Sequence, residues 1–232
     1  MQKTKIYRQR WYDPILSIFF RLAASGYLPA SLFRGLLPNE AERQAKTGHL
    51  ELEVVSHCWK YSSMLAYQLS SLIKYPPSKL TVTMTVMYSE EDKMTVRLLD
   101  FIGRHEVQNV RWNWVALESS QLFRRGIGRN LAAKNTQADW VWFTDCDIVF
   151  HQGCLDSLAA SLQGRKEALV FPEKEYTTPM LPKTSKLFTE SRLDYLNEID
   201  INAFQVHSRD RAKGAYQIVH GDVARAIGYC DG

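Results

Sequence analysis

The sequence has few cysteines and no long hydrophobic run, and each of these features narrows the class of protein. Its 232 residues include four cysteines, which are scattered and never form a CxxC pair. This spacing argues against a structural zinc site and a disulfide framework, and it fits a reducing, cytoplasmic location. The apolar stretch within residues 15–22 is interrupted by Arg21 and falls short of the ~20 apolar residues of a membrane span.

The chain also lacks a strong overall charge, and the charge it has is unevenly distributed. The net charge is +4, from 29 basic and 25 acidic residues. Residues 1–34 hold six of the basic residues and a single acid, Asp13, whereas the remainder of the chain is almost neutral. A nucleic-acid-binding domain needs a basic face of its own, and we therefore expect no nucleic-acid partner.

Residues 1–48 are predicted to form a basic, apolar helical extension, separate from a main domain at 49–232. Five apolar side chains fall on one face at helical spacing: Trp11, Ile15, Ile18, Phe19 and Leu22. This helix has two interpretations. Either it makes a peripheral contact with the anionic inner face of a membrane through residues 1–34, or it packs on the main domain.

The rest of the chain alternates between strand and helix patterns. Apolar and β-branched residues predict strands at 50–58, 80–88, 110–117, 140–144, 168–172 and 216–219, with helical patterns between most of them. A long polar excursion occupies 173–213. This alternation predicts an α/β fold with a mainly parallel sheet. Ligands of such sheets bind beyond the carboxyl ends of the strands, and Asp145 and Asp147 fall at such an end.

The two aspartates are the strongest candidate for chemistry. They follow the apolar strand 140–144 in the sequence WVWFTDCDIVF. Two like charges so close repel each other unless a cation joins them, and carboxylate oxygens are ligands that suit Mg²⁺ or Mn²⁺. The alternative is a solvent-exposed turn in which Asp145 and Asp147 cap the following segment.

Three stretches resemble the family 2 glycosyltransferases of the GT-A fold. The first is RGIGRNLAA at 125–133, a helix that leads into the second, DWVWFTDCD at 139–147. The third is GAYQIVHGDVARAIGYCD at 214–231, which is similar to the family's later glycine-rich strand, short helix and Gly-Gly-Phe-Asp-like turn. The resemblance covers about residues 50–232 and implies a GT-A, Rossmann-like fold.

The resemblance also implies roles for individual residues. Asp145 would lie near the ribose and the metal-bound phosphates, and Asp147 would be the more direct ligand of Mn²⁺ or Mg²⁺. Arg129 would stabilise the nucleotide end of the donor or orient the aspartates, although a salt bridge to Asp145 without ligand contact is the alternative.

The resemblance also implies roles for residues that follow the first strand and for one residue of the later glycine-rich stretch. The loop after the first strand, formed by Ser56, His57, Cys58 and Trp59, would border the base and ribose; a core position is the alternative for Trp59. His220 would stand on the acceptor side, with a structural histidine as the alternative.

The activity that the resemblance implies is transfer of a sugar from a nucleotide-sugar donor to a hydroxyl group of a saccharide or lipid-linked acceptor. UDP is the default nucleotide, and an inverting, metal-dependent reaction in surface polysaccharide or glycolipid synthesis is expected. The family's catalytic base follows the Gly-Gly-Phe-Asp-like turn, where this sequence stops at Gly232. We therefore name no base: either it is supplied from elsewhere, or it lies beyond Gly232 in a C-terminally longer protein.

Two other functions fit parts of the sequence. A phosphatase of the haloacid dehalogenase type also places Asp-x-Asp after an apolar strand, although near the start of its domain. A membrane-associated subunit that binds a nucleotide without turnover is the second alternative, because no catalytic base is identified.

Overall fold

The computed structural model describes residues 11–24, 27–28, 37–182, 184–212 and 214–229. The chain divides into two compact units, Met1–Leu37 and Pro38–Gly232. Residues 38–48, predicted to belong to the extension, fall within the second unit. Arg43 shows why, since its buried guanidinium donates hydrogen bonds to the carbonyl oxygens of Pro38 and Lys166.

Within the first unit, the described residues include one helix, α1 (Asp13–Ala24). In the described part of the chain, no helix has the length and apolar character needed to cross a bilayer. Five of the six basic residues counted within 1–34 lie outside the described residues, namely Lys3, Lys5, Arg8, Arg10 and Arg34, and so do Asp231 and Gly232.

The second unit alternates strands with helices. Its strands are β1 (Leu50–His57), β2 (Leu80–Tyr88), β3 (Val110–Ala116), β4 (Trp140–Phe143), β5 (Leu169–Val170), β6 (Lys174–Thr177), β7 (Gln205–Ser208) and β8 (Gln217–His220). Its α-helices are α2 (Ser62–Lys74), α3 (Lys93–Ile102), α4 (Ser119–Leu122), α5 (Arg125–Asn135), α6 (Cys154–Ser161), α7 (Lys186–Thr189) and α8 (Gly221–Ile227).

Six strands form the central sheet in the order β3-β2-β1-β4-β8-β5. Strands β1 to β4 are parallel to their neighbours in this set, whereas β8 is antiparallel to both β4 and β5. The buried side chains of β1, β2 and β4 form the centre of the core, as the apolar run of β4 and the alternating apolar positions of β1 and β2 predict. The predicted α/β fold class with a mainly parallel sheet is thus confirmed.

The polar excursion at 173–213 contains structure that the sequence did not reveal. Strands β6 and β7 pair antiparallel in a separate two-stranded sheet, and α7 lies between them in the chain. All four residues of β7 are exposed, so this strand lacks the apolar alternation that marks a half-buried strand.

Parallel pairing brings the ends of β1 and β4 to the same edge of the sheet. Val55 pairs with Phe143, and the amide of Thr144 continues the ladder by donating a 3.0 Å hydrogen bond to the Val55 carbonyl. Asp145 therefore begins the loop beside the last residues of β1. This edge of the sheet holds the candidate site.

Candidate functional site

Asp145 is held by two arginines from helix α5. Arg125 and Arg129 are four residues apart and therefore lie on the same face of the helix. Their guanidinium groups lie 2.9 Å and 3.4 Å, respectively, from Oδ1 of Asp145. The two arginines differ in burial, since the Arg125 side chain is 62% exposed and the Arg129 side chain 7%. Arg129 thus lies beside Asp145, as predicted, and the two side chains form an ion pair.

Arg129 also joins two other parts of the fold. It donates hydrogen bonds to the Thr144 carbonyl at 3.5 Å and to the Tyr229 hydroxyl at 2.8 Å. Its guanidinium also lies over the Tyr229 ring, 5.2 Å from the centroid. Arg129 thus fixes helix α5 against the end of β4 and against the segment that follows α8.

A buried relay supports the backbone of the aspartate loop. The Ser56 hydroxyl donates to the Gln68 side-chain oxygen at 2.8 Å, and the Gln68 amide nitrogen donates to the Asp145 carbonyl at 3.0 Å. Ser56 is fully buried, and so is Cys58, whose sulfur lies 3.3 Å from the Thr95 hydroxyl oxygen. Ser56 and Cys58, predicted to border the nucleotide, therefore lie beneath the site rather than on its surface.

Trp59 is the member of the predicted nucleotide loop that reaches the surface. Its ring is half-buried and meets the exposed ring of Phe123 edge-to-face, with centroids 5.3 Å apart. The Lys60 ammonium lies 5.3 Å from the centre of the same ring. Because Phe123 precedes Arg125 by two residues, this aromatic pair stands beside the basic start of α5.

Asp147 carries an unfavourable charge in the absence of a cation. Partial burial and the neighbouring carboxylate of Asp145 raise its pKa, and Arg125 offsets only part of this effect. A divalent cation would reverse the effect by attracting both carboxylates. Among the described residues, no cluster of three or more histidine, cysteine, aspartate or glutamate side chains is arranged to hold a metal. A Mg²⁺ or Mn²⁺ ion here would take further ligands from phosphate oxygens and water, as these ions commonly do.

His57 lies at the end of β1, beside the two arginines. Neither of its ring nitrogens is exposed, and neither has a hydrogen-bond partner. Burial, and then the charges of Arg129 and Arg125, lower the pKa of His57 to about 3. The imidazole is therefore neutral at physiological pH.

Glycine at position 128 permits helix α5 to approach His57. A Cβ atom at this position would collide with Nε2 of His57 and lie 3.0 Å from Cγ of Met87. We expect Gly128→Ala to lower the free energy of unfolding by about 2 kcal/mol, because α5 must move or His57 must rotate. Urea unfolding of both proteins measures the difference.

Gly214→Ala is the matched control, since nothing lies within 4 Å of a Cβ atom there. Adding His57→Ala to Gly128→Ala should recover part of the lost stability by making room for the methyl group. Equal effects of the two glycine substitutions would show that α5 does not approach His57 closely.

The buried, neutral His57 also predicts a loss of stability in acid. The unfolded chain protonates this residue near pH 6.5, whereas the folded chain does so only near pH 3. Since the unfolded state binds the extra proton between these values, stability falls as the pH drops through that window. We expect His57 to remove about 2 kcal/mol of stability between pH 7 and pH 5.

The His57→Leu variant isolates this contribution. Urea unfolding at pH 7 and pH 5 should show a smaller drop for the variant than for the unmodified chain, by about the same 2 kcal/mol. An identical pH dependence of both proteins would mean that His57 titrates equally in the folded and unfolded states.

His220 lies at the end of the strands opposite to the one that carries Asp145 and Asp147. Because β8 is antiparallel to β4, His220 pairs with Trp140 at the start of β4, while Gln217 pairs with Phe143 at its end. The buried His220 ring accepts a hydrogen bond from the Asp222 amide and caps helix α8, and its Nε2 lies 3.0 Å from the Gln44 carbonyl oxygen. The structure therefore does not bring His220 to the aspartates, and the acceptor-side position predicted for it is corrected to a capping position.

Three residues of this site were given no role from the sequence: Phe123, Arg125 and Tyr229. His57 was predicted, with its loop, to border the nucleotide, but its ring nitrogens are buried. Only Arg125 carried a usable signal, because the i, i+4 spacing with Arg129 places both arginines on one helix face. Tyr229 reaches Arg129 across 100 positions of the chain, a proximity that no local pattern predicts.

No protein-family model matches the chain, and the search of curated proteins found no match. Among solved structures, the crystal structure of S. aureus TarS 1–349 is similar, with a TM-score of 0.41 and 19% identity, over 52% of this chain and 34% of that one. The values for the UDP complex are the same. The UDP-GlcNAc complex gives a TM-score of 0.38 and 20% identity, over 52% of this chain and 33% of that one. The chain thus spans about a third of these TarS chains.

Proposed function

We propose that the protein is a glycosyltransferase that uses a nucleotide-sugar donor and a divalent cation. The observation that carries this proposal is the position of Asp145 and Asp147, just beyond the carboxyl end of a buried parallel strand and beside two arginines. This is where open α/β sheets bind their ligands. The motifs at 125–133 and 139–147 support the same function by resemblance.

The residues around Asp145 suit a nucleoside diphosphate. Helix α5 begins at Arg125 without a side-chain cap on its first N–H groups, so its positive end and the exposed Arg125 favour a negatively charged group. The half-buried Trp59 and the exposed Phe123 offer aromatic surface for a base. In this proposal, Asp147 and Asp145 hold Mn²⁺ or Mg²⁺, which neutralises the charge that develops on the departing diphosphate.

Equilibrium binding of UDP to the full chain, with and without Mn²⁺, tests the proposal. UDP is the nucleotide in one of the TarS complexes and is therefore the probe chosen. Metal-dependent binding by calorimetry is the expected result, together with slow hydrolysis of UDP-sugars when no acceptor is present. Hydrolysis of p-nitrophenyl phosphate without UDP binding would favour the phosphatase of the haloacid dehalogenase type instead. UDP binding without hydrolysis or transfer would favour the non-catalytic subunit.

We further propose that the first unit contacts the anionic inner face of a membrane, where a lipid-linked acceptor would be available. The apolar face of α1 and the adjoining Trp11 are exposed: Trp11, Ile15 and Ile18 are each at least 60% accessible. Six basic residues in 1–34 complement anionic lipid, each contributing about 1 kcal/mol near the surface.

Sedimentation with lipid vesicles tests this contact. The full chain should sediment with phosphatidylglycerol-containing vesicles, bind phosphatidylcholine vesicles weakly, and dissociate as salt increases. Ile18→Asp should abolish sedimentation, whereas Met94→Asp, at an exposed apolar position on α3, should not. Equal sedimentation of the two variants would refute a contact through α1.

A further inference from the structure

A second concave region begins where the aspartate site ends. It is a cavity of about 450 Å³ within the second unit, and Asp147 lines part of its wall. Helix α2, strand β4, the segment 148–154 and the excursion at 173–213 contribute most of the rest of that wall. Asp145 pairs with the two arginines of α5, whereas Asp147 lines this cavity. The cavity was not anticipated from the sequence.

Six aromatic rings contribute to the wall of the cavity. Its rings include Tyr67, Tyr75, Trp142, Tyr176, Phe204 and Tyr216. Tyr67 and Trp142 are almost fully buried and form a firm base, since the Trp142 indole nitrogen donates to the Ala215 carbonyl at 2.9 Å. Tyr176, which is 45% exposed, stands at the rim and meets the His151 ring edge-to-face, with centroids 5.7 Å apart.

Three charged side chains on this wall form ion pairs. Lys74 forms a 2.5 Å ion pair with Glu198, and the buried Glu175 is paired with Arg209, which does not line the cavity. These ion pairs neutralise the three charges within the protein. Polar uncharged side chains complete the wall, among them those of Gln152 and Asn197.

We propose that this cavity binds the sugar ring of the acceptor and places its hydroxyl group beside Asp147. A pyranose ring has faces of C–H groups that pack on aromatic rings, and an edge of hydroxyl groups that hydrogen-bond to tyrosine hydroxyls and amides. A pocket of this size with few, well-placed polar groups is typical of sites for small ligands. The inference rests on the proposed function, because it identifies the substrate on the far side of the metal-binding aspartates.

Binding of simple methyl glycosides tests the inference. The probes are the methyl glycosides of glucose, galactose and N-acetylglucosamine, followed by saturation-transfer NMR and titration with the full chain. At least one of them should bind, and Tyr176→Ala should weaken its affinity by about tenfold, the upper end of what one aromatic contact contributes. Tyr195→Ala is the matched control, since Tyr195 is 62% exposed on the same excursion but does not line the cavity.

The position of the bound glycoside relative to Asp145 and Asp147 is tested separately with paramagnetic Mn²⁺. In the presence of UDP and Mn²⁺, signals of the bound glycoside should broaden, because Asp147 borders both sites. The inference is overturned if UDP and Mn²⁺ bind but no glycoside does, if Tyr176→Ala and Tyr195→Ala bind the glycoside equally, or if the signals do not broaden. Glycoside binding without any UDP binding would retain the sugar site and instead overturn the proposed transferase.

Discussion

Asp147→Asn should reduce the affinity for UDP in the presence of Mn²⁺ by about a hundredfold, the upper end of the loss seen when residues that support metal ligands are changed. The amide retains the size of the side chain but not the charge that attracts the cation. Affinity measured without Mn²⁺ should not fall and should rise slightly, because the substitution removes a negative charge that repels the diphosphate. Calorimetric titration under both conditions separates the two effects.

The same substitution should leave the fold intact. The neutral asparagine costs less free energy to bury than the charged aspartate does. It also removes the repulsion from Asp145 that helps to raise the pKa of Asp147. Asp194→Asn is the control, since Asp194 is exposed and pairs with Arg97 away from the site. If Asp147→Asn and Asp194→Asn bound UDP–Mn²⁺ equally well, Asp147 would not be a metal ligand.

Arg129→Met should lower the free energy of unfolding by about 3 kcal/mol, because it removes a buried guanidinium that serves two hydrogen-bond acceptors and one half-exposed carboxylate. The methionine fills the space but leaves the Thr144 carbonyl and the Tyr229 hydroxyl without this donor. It also frees Asp145 from one of its two arginines. Urea unfolding measures the loss, and UDP titration shows whether the site still forms.

Arg125→Met provides a demanding comparison, because both arginines reach the same oxygen of Asp145. The Arg125 side chain is largely exposed, so its loss should cost at most about 1 kcal/mol of stability. It should nevertheless weaken UDP binding, because Arg125 faces the proposed diphosphate. Equal destabilisation by the two substitutions would contradict the structural role assigned to Arg129.

The central sheet was predictable because its signal is local. The apolar run of β4 and the alternating apolar positions of β1 and β2 identify these strands from their own segments of the sequence, without knowledge of their neighbours in the sheet. The Asp145–Asp147 pair was predictable for the same reason, since it directly follows β4. These positions agree with the observed edge of the parallel strands.

Other features depend on contacts between distant segments. The direction of β8 decides which end of the sheet His220 occupies, and strand patterns carry no information about direction. The exposed strand β7 has no apolar face to mark it. Ser56 is buried because Gln68 of α2 packs over it, a contact that the sequence of β1 alone does not reveal. The prediction that Ser56 borders the nucleotide was therefore wrong.

Anomalous diffraction from crystals soaked with MnCl₂ and UDP tests the central claim most directly. The account predicts a manganese peak within about 2.2 Å of a carboxylate oxygen of Asp147, with the diphosphate of UDP on its other side, facing Arg125. Bound UDP with no manganese peak beside Asp145 and Asp147, or a peak at a different place in the fold, would contradict it.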